Sequence, residues 1–279
     1  MASIPAEHGF ELRGERSRLR PLLRDLWRSR DLVVMLARKD FFVRYRRATL
    51  GLIWAIGLPL VQAIVYAVVL NQFVRFDTPV DFAVFVFAGV LPWTTFNASV
   101  IAGTSSIVEG TALATKIYFP RPVLPFVTVL SGFYGLVPGI VILLIMTAAL
   151  GNPLGWAVLL MIPAMVLLFL LSAAFALVLA VMQVYSRDVK HVVGAVSLPW
   201  FWASGVFYPL SSEVVSDTFR RFLEINPAVG VIQMFRAAIG AGAPGWESAL
   251  WWTAGWIVVL MAGAAFLYRR HDRVCVDLL

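Results

Sequence analysis

The chain has 279 residues, of which 60% are apolar and only 14% are charged, and its formal net charge is +7. Soluble domains are about 45–50% apolar and about 25% charged, so this composition excludes an ordinary soluble domain and, for the opposite reason, a disordered chain. The single cysteine, Cys275, excludes a disulfide-stabilised scaffold. The composition therefore indicates an integral membrane protein with several helices of about 20 residues each.

The chain begins with a polar segment, residues 1–31, which an amphipathic segment, residues 32–50, follows. Residues 1–31 are rich in arginine, which predicts a cytoplasmic N-terminal segment. Residues 32–50 mix apolar and aromatic side chains with arginine and lysine, which is typical of a helix in the membrane interface. A plain positive flank of the first membrane helix is the alternative interpretation of residues 32–50.

Six longer apolar stretches follow, and each predicts one membrane-spanning helix. They cover residues 51–73, 82–108, 123–150, 154–185, 192–208 and 247–268. Residues 228–240 are also apolar, but at about 1.5 Å per residue they are too short to span, so we expect a re-entrant or interfacial helix there. The predicted fold is all-α and integral to the membrane, with six transmembrane helices in residues 51–268 and a cytoplasmic tail at residues 269–279.

Basic residues are distributed unequally between the two sides that these spans define. The side that holds both termini and the loops at residues 109–122 and 186–191 carries 19 of the 23 Lys and Arg residues. Because loops rich in Lys and Arg stay in the cytoplasm, the asymmetry predicts a multi-pass protein of a bacterial inner membrane with both termini cytoplasmic. Residues 209–246 are then expected on the outer side.

Motifs of catalytic and ATP-binding proteins are absent from the sequence. A Walker-type loop requires Gly-Lys followed by Ser or Thr, whereas the three lysines precede Asp40, Ile117 and His191. The sequence holds no HExxH motif, no Cys/His cluster for zinc and no Gly-x-Ser-x-Gly nucleophile elbow. The predicted spans hold almost no ionisable residue, which disfavours a proton-coupled pump. We therefore expect a protein that is not an enzyme, binds no cofactor itself and draws any energy for transport from another subunit.

Polar side chains in the second predicted span are candidates for the lining of a transport route. Thr94, Asn97, Thr104 and Ser105 fall at helical spacings and share one face. Hydrogen bonding between packed helices explains the same pattern.

Aromatic side chains crowd the fifth predicted span and also occur next to this polar face. Trp93 lies beside it, and Trp200, Trp202 and Phe207 lie in or near the fifth span. Aromatic faces suit the apolar faces of sugar rings. An aromatic belt at the membrane interface, or an ordinary packed core, is the alternative for most of these residues.

Four segments occur in an order and spacing that membrane insertion alone does not require. They are ARKDFFVRYRRATLGLIWAIGLPL at residues 37–60, ATKIYFPRPVLP at 114–125, YSRDVKHV at 185–192 and INPAVGVIQMFRAAI at 225–239. The second and fourth are the most specific. Together the segments resemble the membrane subunit of ABC-2-type exporters of polysaccharides, a family that includes exporters of O-antigen, teichoic acid and actinobacterial galactan. The resemblance extends over about residues 32–268.

The resemblance implies a homodimer of this chain bound to two copies of a cytoplasmic ATPase, which would hold the ATP and magnesium. It implies that the ATPase contacts the interface helix and two cytoplasmic loops, here Arg38–Leu50, Thr115–Arg121 and Arg187–Lys190. The coupling residues expected within them are Arg38, Lys39, Lys116, Phe119, Arg121, Arg187 and Asp188.

The resemblance also implies a cargo and a route. A lipid-linked glycan would pass between the two copies, and two short helices, Ser212–Glu224 and Ala228–Gly240, would lie at the outer mouth. The expected route residues are Trp93, Thr94, Asn97, Thr104, Ser105, Trp200, Trp202 and Phe207. The lipid diphosphate would be held by Arg44, Arg46 and Arg47, for which a role as orienting charges is the alternative.

The choice of cargo within this family depends on a weak compositional signal. The excess of arginine over lysine, 20 against 3, is typical of a GC-rich genome and favours a galactan exporter over a teichoic acid exporter. An ABC-2 exporter of drugs or small lipids is one alternative. A membrane-embedded transferase acting on polyprenyl-linked sugars is another, and the lack of paired catalytic carboxylates or histidines near the spans disfavours it.

Overall fold

The computed structural model describes residues 30–46, 51, 53–73, 76–110, 122–210 and 215–271. Within these ranges the chain forms nine α-helices and one short 3-10 helix, and no residue lies in a β-strand. In chain order the helices are α1 (Arg30–Tyr45), α2 (Ile53–Phe73), α3 (Phe82–Glu109), α4 (Val123–Ala149), the 3-10 helix (Trp156–Leu160), α5 (Met161–Tyr185), α6 (Val189–Trp202), α7 (Asp217–Glu224), α8 (Pro227–Ala238) and α9 (Glu247–His271). Most of the predicted N-terminal segment and tail lies outside the described residues.

Four helical segments of the described chain are long and apolar enough to cross a membrane. They are Phe82–Glu109, Val123–Ala149, Trp156–Tyr185 and Glu247–Tyr268. The predicted all-α membrane fold is therefore confirmed. The first predicted span corresponds to α2, whose continuous apolar part is Gly57–Leu70. A total of six spans stays a prediction.

The fifth predicted span differs from the structure in length. The apolar stretch 192–208 contains the end of a 14-residue helix, α6, followed by a turn at residues 203–205. At about 1.5 Å per residue, α6 is about 21 Å long, which is less than the roughly 30 Å hydrocarbon core of a bilayer. The turn ends at Gly205, whose φ of 64° lies in the left-handed region that favours glycine. Hydropathy alone does not encode where such a helix ends.

Helix α3 lies at the centre of the bundle and packs along most of its length on α4 and α5. Nineteen of its 28 residues are buried. Close approach depends on small residues: a methyl group at Gly103 would overlap Ala176 of α5, and one at Gly139 of α4 would press into Leu91. Small residues are the usual means by which membrane helices pack closely, because lipid supplies no hydrophobic force between them.

Helix α1 packs one edge on the start of α4 and exposes the other. Ala37 and Phe41 are buried, and the Phe41 ring centroid lies 5.6 Å from that of Tyr134. Val34, Met35 and Phe42 are exposed on the other side. The predicted interface helix at 32–50 is thus amphipathic in the structure, and its described part ends at Tyr45.

Helices α7 and α8 lie between α6 and α9 in the chain. The expected outer helices Ser212–Glu224 and Ala228–Gly240 are observed as Asp217–Glu224 and Pro227–Ala238. Eleven of the twelve residues of α8 are buried against α3, α5 and α9, so α8 lies inside the bundle and not on its surface. Its position brings it against the end of α6.

Candidate functional site

The turn that ends α6 places backbone carbonyls inside the helix bundle, where water is scarce. Non-helical backbone at membrane depth is tolerated only where protein groups satisfy it. The carbonyls in question belong to Ala203, Gly205 and Val206, and side chains from the start and end of α8 bind all three. The end of α6 and the whole of α8 are therefore tied together by side chain to backbone hydrogen bonds.

Asn226 makes the first of these ties, at the start of α8. Its amide nitrogen donates to the Ala203 carbonyl and to the Ser204 hydroxyl, both at 3.0 Å. Its amide oxygen accepts from Trp200 Nε1 at 2.9 Å and from the backbone N–H of Ala228 at 3.1 Å. The last bond is an N-terminal helix cap, which asparagine favours. One side chain thus caps α8 and binds the end of α6.

Arg236 makes the second tie, near the end of α8, and is completely buried. Its two terminal nitrogens donate to the carbonyls of Gly205, at 2.8 Å, and Val206, at 2.6 Å. Its guanidinium carbon lies 3.6 Å from the centroid of the Phe85 ring on α3, which is a cation–π contact. A Cβ at Gly89 would come within 2.9 Å of Arg236 Nη2, so this position on α3 accepts only glycine without rearrangement.

An aromatic cluster surrounds the end of α6. We define it as Tyr66, Trp93, Phe96, Phe175, Trp200, Phe201, Trp202 and Phe207, whose ring centroids lie 4.5–6.4 Å from their neighbours. Trp93 and Phe207 are buried within it. Trp200 is half-buried and Trp202 is 48% exposed. The cluster is therefore buried on the side of α3 and reaches the surface of this chain at the rings of α6, above all at Trp202.

The polar face of α3 divides into two parts. Thr104 and Ser105 are buried, and their hydroxyls donate to carbonyls of their own helix, those of Val100 at 2.7 Å and Ile101 at 3.5 Å. This arrangement favours the helix-packing interpretation for these two residues. Their part in a route stays a prediction.

Thr94 and Asn97, in the other part of this face, are half-buried. Thr94 donates to the Leu91 carbonyl of its own helix at 3.1 Å. Asn97 instead reaches across to α6, where its Oδ1 lies 2.7 Å from Ser197 Oγ. The structure thus brings Asn97 to the α3–α6 boundary together with the aromatic cluster.

The predicted coupling loop between α5 and α6 is held in shape by Gln183. The side-chain oxygen of Gln183 accepts from the backbone N–H of Lys190 at 2.8 Å, and its nitrogen donates to the Arg187 carbonyl at 3.0 Å. Arg187 and Asp188 are exposed, as an interaction surface requires. The other expected coupling loop lies outside the described residues, and with it Lys116, Phe119 and Arg121.

An ion pair joins the ends of two helices that border these loops. Lys190 Nζ at the start of α6 lies 3.0 Å from Glu109 Oε1 at the end of α3. The contact places the end of α3 and the start of α6 at the same end of the bundle, in agreement with the predicted topology.

The basic residues of α1 are exposed. Arg38 and Lys39 point away from α4, and the Arg38 guanidinium lies 5.7 Å from the Phe42 ring centroid. Arg44 pairs with Asp40 at 3.1 Å, which neutralises part of its charge. Arg46 is exposed, and Arg47 lies outside the described residues.

Three residues of the site were not expected from the sequence as functional. Asn226 and Arg236 lie in the segment INPAVGVIQMFRAAI, where a lone arginine in an apolar helix was the available signal. Gln183 gave no signal beyond its position near the end of a span. Within the described residues, no group of three or more His, Cys, Asp or Glu side chains is placed to hold a metal ion. The expectation that the chain has no cofactor stays a prediction.

Comparison with known proteins identifies the class of this chain. Residues 31–239, from α1 to the end of α8, match the family described as ABC-2 type transporter. The chain therefore belongs to the ABC-2 type transporter family and is a membrane transport subunit.

Individual relatives agree with this class. The chain is 33% identical over 217 residues to the "O-antigen export system permease protein RfbA" of Myxococcus xanthus, which covers 77% of this chain and 83% of that protein. It is 26% identical over 252 residues to a protein of the same name in Klebsiella pneumoniae, which covers 87% of this chain and 93% of that protein.

Proposed function

We propose that this chain is the membrane subunit of an exporter that moves a lipid-linked polysaccharide from the cytoplasm across the inner membrane, driven by a separate ATPase. The observation that carries the proposal is the aromatic cluster, which reaches the surface at Trp202 and in which Trp200 lies against Phe96, the neighbour of Asn97 in the chain. Rings that stack on sugar faces and an amide that bonds hydroxyls are the groups that a glycan requires. The names of the relatives support the same class of cargo.

The assembly that we propose is a homodimer with two ATPase subunits. Only Phe201 of the fourteen residues of α6 is buried, and Val192, Val196 and Leu198 are exposed. A helix that is too short to cross the bilayer alone and is uncovered on most sides needs further protein around it. A second copy of α6 supplies that cover, and the route lies between the copies.

The ATPase contacts that we propose are the exposed surfaces at the cytoplasmic end. They comprise the exposed side of α1, with Arg38 and Lys39, and the loop with Arg187 and Asp188, which Gln183 holds in shape. Arg46, and Arg44 beside Asp40, are available for a lipid diphosphate at the same end.

An O-antigen-type polysaccharide is the cargo that we favour. The relatives that support it match more than three quarters of the chain. Galactan, which the sequence analysis favoured, is supported only by the excess of arginine, and teichoic acid by the family resemblance alone.

Depletion of the protein in its own host tests the proposal. We expect surface polysaccharide to fall and a lipid-linked glycan to accumulate inside, and sugar analysis of that glycan separates O-antigen, galactan and teichoic acid. Unchanged surface polysaccharide together with lost export of a drug or small lipid would overturn the proposed cargo. Co-purification in mild detergent tests the partner, since we expect a stoichiometric subunit with a Walker-type ATP site.

A further inference from the structure

Helix α6 is attached to the bundle by a few polar side-chain ties and by the aromatic cluster. The ties are the ion pair of Lys190 with Glu109 and the bond from the Lys190 N–H to Gln183 at one end, the contact of Ser197 with Asn97 in the middle, and the hydrogen bond of Trp200 with Asn226 at the other end. Helix α5, by contrast, buries about half of its residues, twelve of 25. Of the residues of α6 only Phe201 is buried, so departure of α6 from α3 breaks these ties and the ring contacts of Trp200 and Phe201 with α3.

The contact between Ser197 and Asn97 is asymmetric, because Ser197 has a second possible acceptor and Asn97 has no second partner on α6. Ser197 Oγ lies 2.7 Å from Asn97 Oδ1 and also 2.7 Å from the carbonyl of Val193, one turn earlier in α6. A hydroxyl has one proton, so it donates to only one of them at a time. If α6 moves away from α3, Ser197 keeps a hydrogen bond within its own helix, whereas Asn97 loses its partner on α6.

The surroundings of Asn97 suit a hydroxyl-rich cargo. Its side chain is half-buried and is one residue away from Phe96, whose ring lies 5.3 Å from that of Trp200. A carboxamide offers two N–H donors and one acceptor oxygen, which matches neighbouring hydroxyl groups of a sugar. A partly buried amide that has lost its partner is free to bind a hydroxyl group that enters when α6 leaves.

We propose that Ser197 is a positioning residue that occupies Asn97 in the closed protein and releases it to hydroxyl groups of the cargo when α6 moves away from α3. This inference rests on the proposed function as a glycan exporter. It assigns different roles to two residues that share one hydrogen bond, and this difference is testable.

The first test compares Ser197→Ala with Asn97→Ala, which remove the same hydrogen bond. Ser197→Ala weakens only the closed state, so we expect cargo-independent ATP hydrolysis by the purified complex to rise about 2- to 10-fold, while export continues. Ser197→Thr keeps the hydroxyl and restores the wild-type rate. Asn97→Ala also removes the group that binds the cargo, so we expect export to fall about 10-fold. Equal effects of the two alanine variants on export would show a merely structural tie and overturn the inference.

The second test restrains α6 in the assembled protein. In a Cys275→Ser background, Asn97→Cys and Ser197→Cys are bridged by a short, reducible bifunctional thiol reagent in cells. The matched control is Ser99→Cys with Gly132→Cys, which links α3 to α4, since a Cβ at Gly132 lies 4.0 Å from the Cβ of Ser99, within the usual disulfide range. We expect the first bridge to abolish the reduced export that remains in the unbridged Asn97→Cys, Ser197→Cys protein, with recovery to that level on reduction, and the control bridge to leave export unchanged. Export that is as high with the first bridge closed as after its reduction would show that α6 does not leave α3.

Failure of the proposed cargo is distinguishable from failure of this inference. If the wild-type protein exports no polysaccharide, the cargo is wrong. The movement of α6 is then judged by ATP hydrolysis of the purified complex, which the first bridge inhibits and the control bridge does not if the inference holds.

Discussion

Helix α3 and helix α6 are both rich in apolar residues, yet they are held in the protein by different means. Glycines at positions 103 and 132 allow close contact between α3 and its neighbours α5 and α4, and the hydroxyls of Thr104 and Ser105 bond within α3 itself. Around α6, by contrast, individual polar side chains from other elements bind specific atoms. The difference separates a scaffold, which depends on close packing of small residues, from an element that is held by a few polar bonds and by the ring contacts of Trp200 and Phe201.

Among the substitutions that test this difference between α3 and α6, we expect loss of Arg236 to lower the free energy of unfolding most. Arg236→Ala leaves the carbonyls of Gly205 and Val206 without donors inside the bundle, and removes a large buried side chain. We expect a loss of about 2–5 kcal/mol in the free energy of unfolding, measured by denaturant titration in detergent. Arg236→Lys keeps one donor group and recovers part of this loss. A wild-type unfolding curve for Arg236→Ala would contradict the assignment of the turn to this side chain.

We expect the second-largest loss of stability from substitution of Asn226 at the start of α8. Asn226→Ala removes the cap of α8 and the bonds to Trp200 and Ala203, and we expect a loss of about 1–3 kcal/mol. Asn226→Asp keeps the acceptor for Ala228 and Trp200 but loses the donors to Ala203 and Ser204. An aspartate variant no more stable than the alanine variant would show that the cap contributes little. Thermal unfolding in detergent ranks the three proteins.

Substitution of two helical glycines, one in the packed region and one in α6, is expected to give opposite effects on stability. A Cβ at Gly230 of α8 would overlap Thr253 and come within 2.6 Å of the Ala249 carbonyl on α9, whereas one at Gly194 of α6 meets no atom within 4 Å. We expect Gly230→Ala to lower the free energy of unfolding by about 1–3 kcal/mol. Gly194→Ala should raise that of the isolated chain by up to about 1 kcal/mol, since alanine favours helices. If Gly194→Ala weakens the dimer in cross-linking or light scattering, α6 packs closely on its second copy.

The smallest expected effect is that of the ion pair between Lys190 and Glu109. Both side chains are largely exposed, so we expect Lys190→Ala to change the free energy of unfolding by less than about 1 kcal/mol. Exchange of the two charges, Lys190→Glu with Glu109→Lys, should restore any loss. A large destabilisation by Lys190→Ala would mean that this end of α6 is part of the scaffold.

The sequence predicted the fold class correctly for a physical reason that is local. Residues 82–109, 123–149, 156–185 and 247–268 are long apolar runs, and a run of this length in lipid must be helical because no other structure satisfies its own backbone. The same reasoning placed the end of the fifth helix at residue 208, whereas α6 ends at Trp202. Apolar residues continue through 192–208 whether the helix continues or turns, and the turn depends on donors from Asn226 and Arg236, which lie more than 20 residues away in the chain.

The candidate site was predictable only in part, because a helical pattern shows which residues share a face but not what that face meets. The spacing of Thr94, Asn97, Thr104 and Ser105 indicated one polar face on α3. Tertiary packing buried its second half against other helices and placed Asn97 against Ser197 of α6. The sequence by itself thus determined a helical membrane protein and its family. Only the tertiary structure decided which polar groups are satisfied within their own helix and which depend on a neighbour that can move, since that depends on contacts between distant segments.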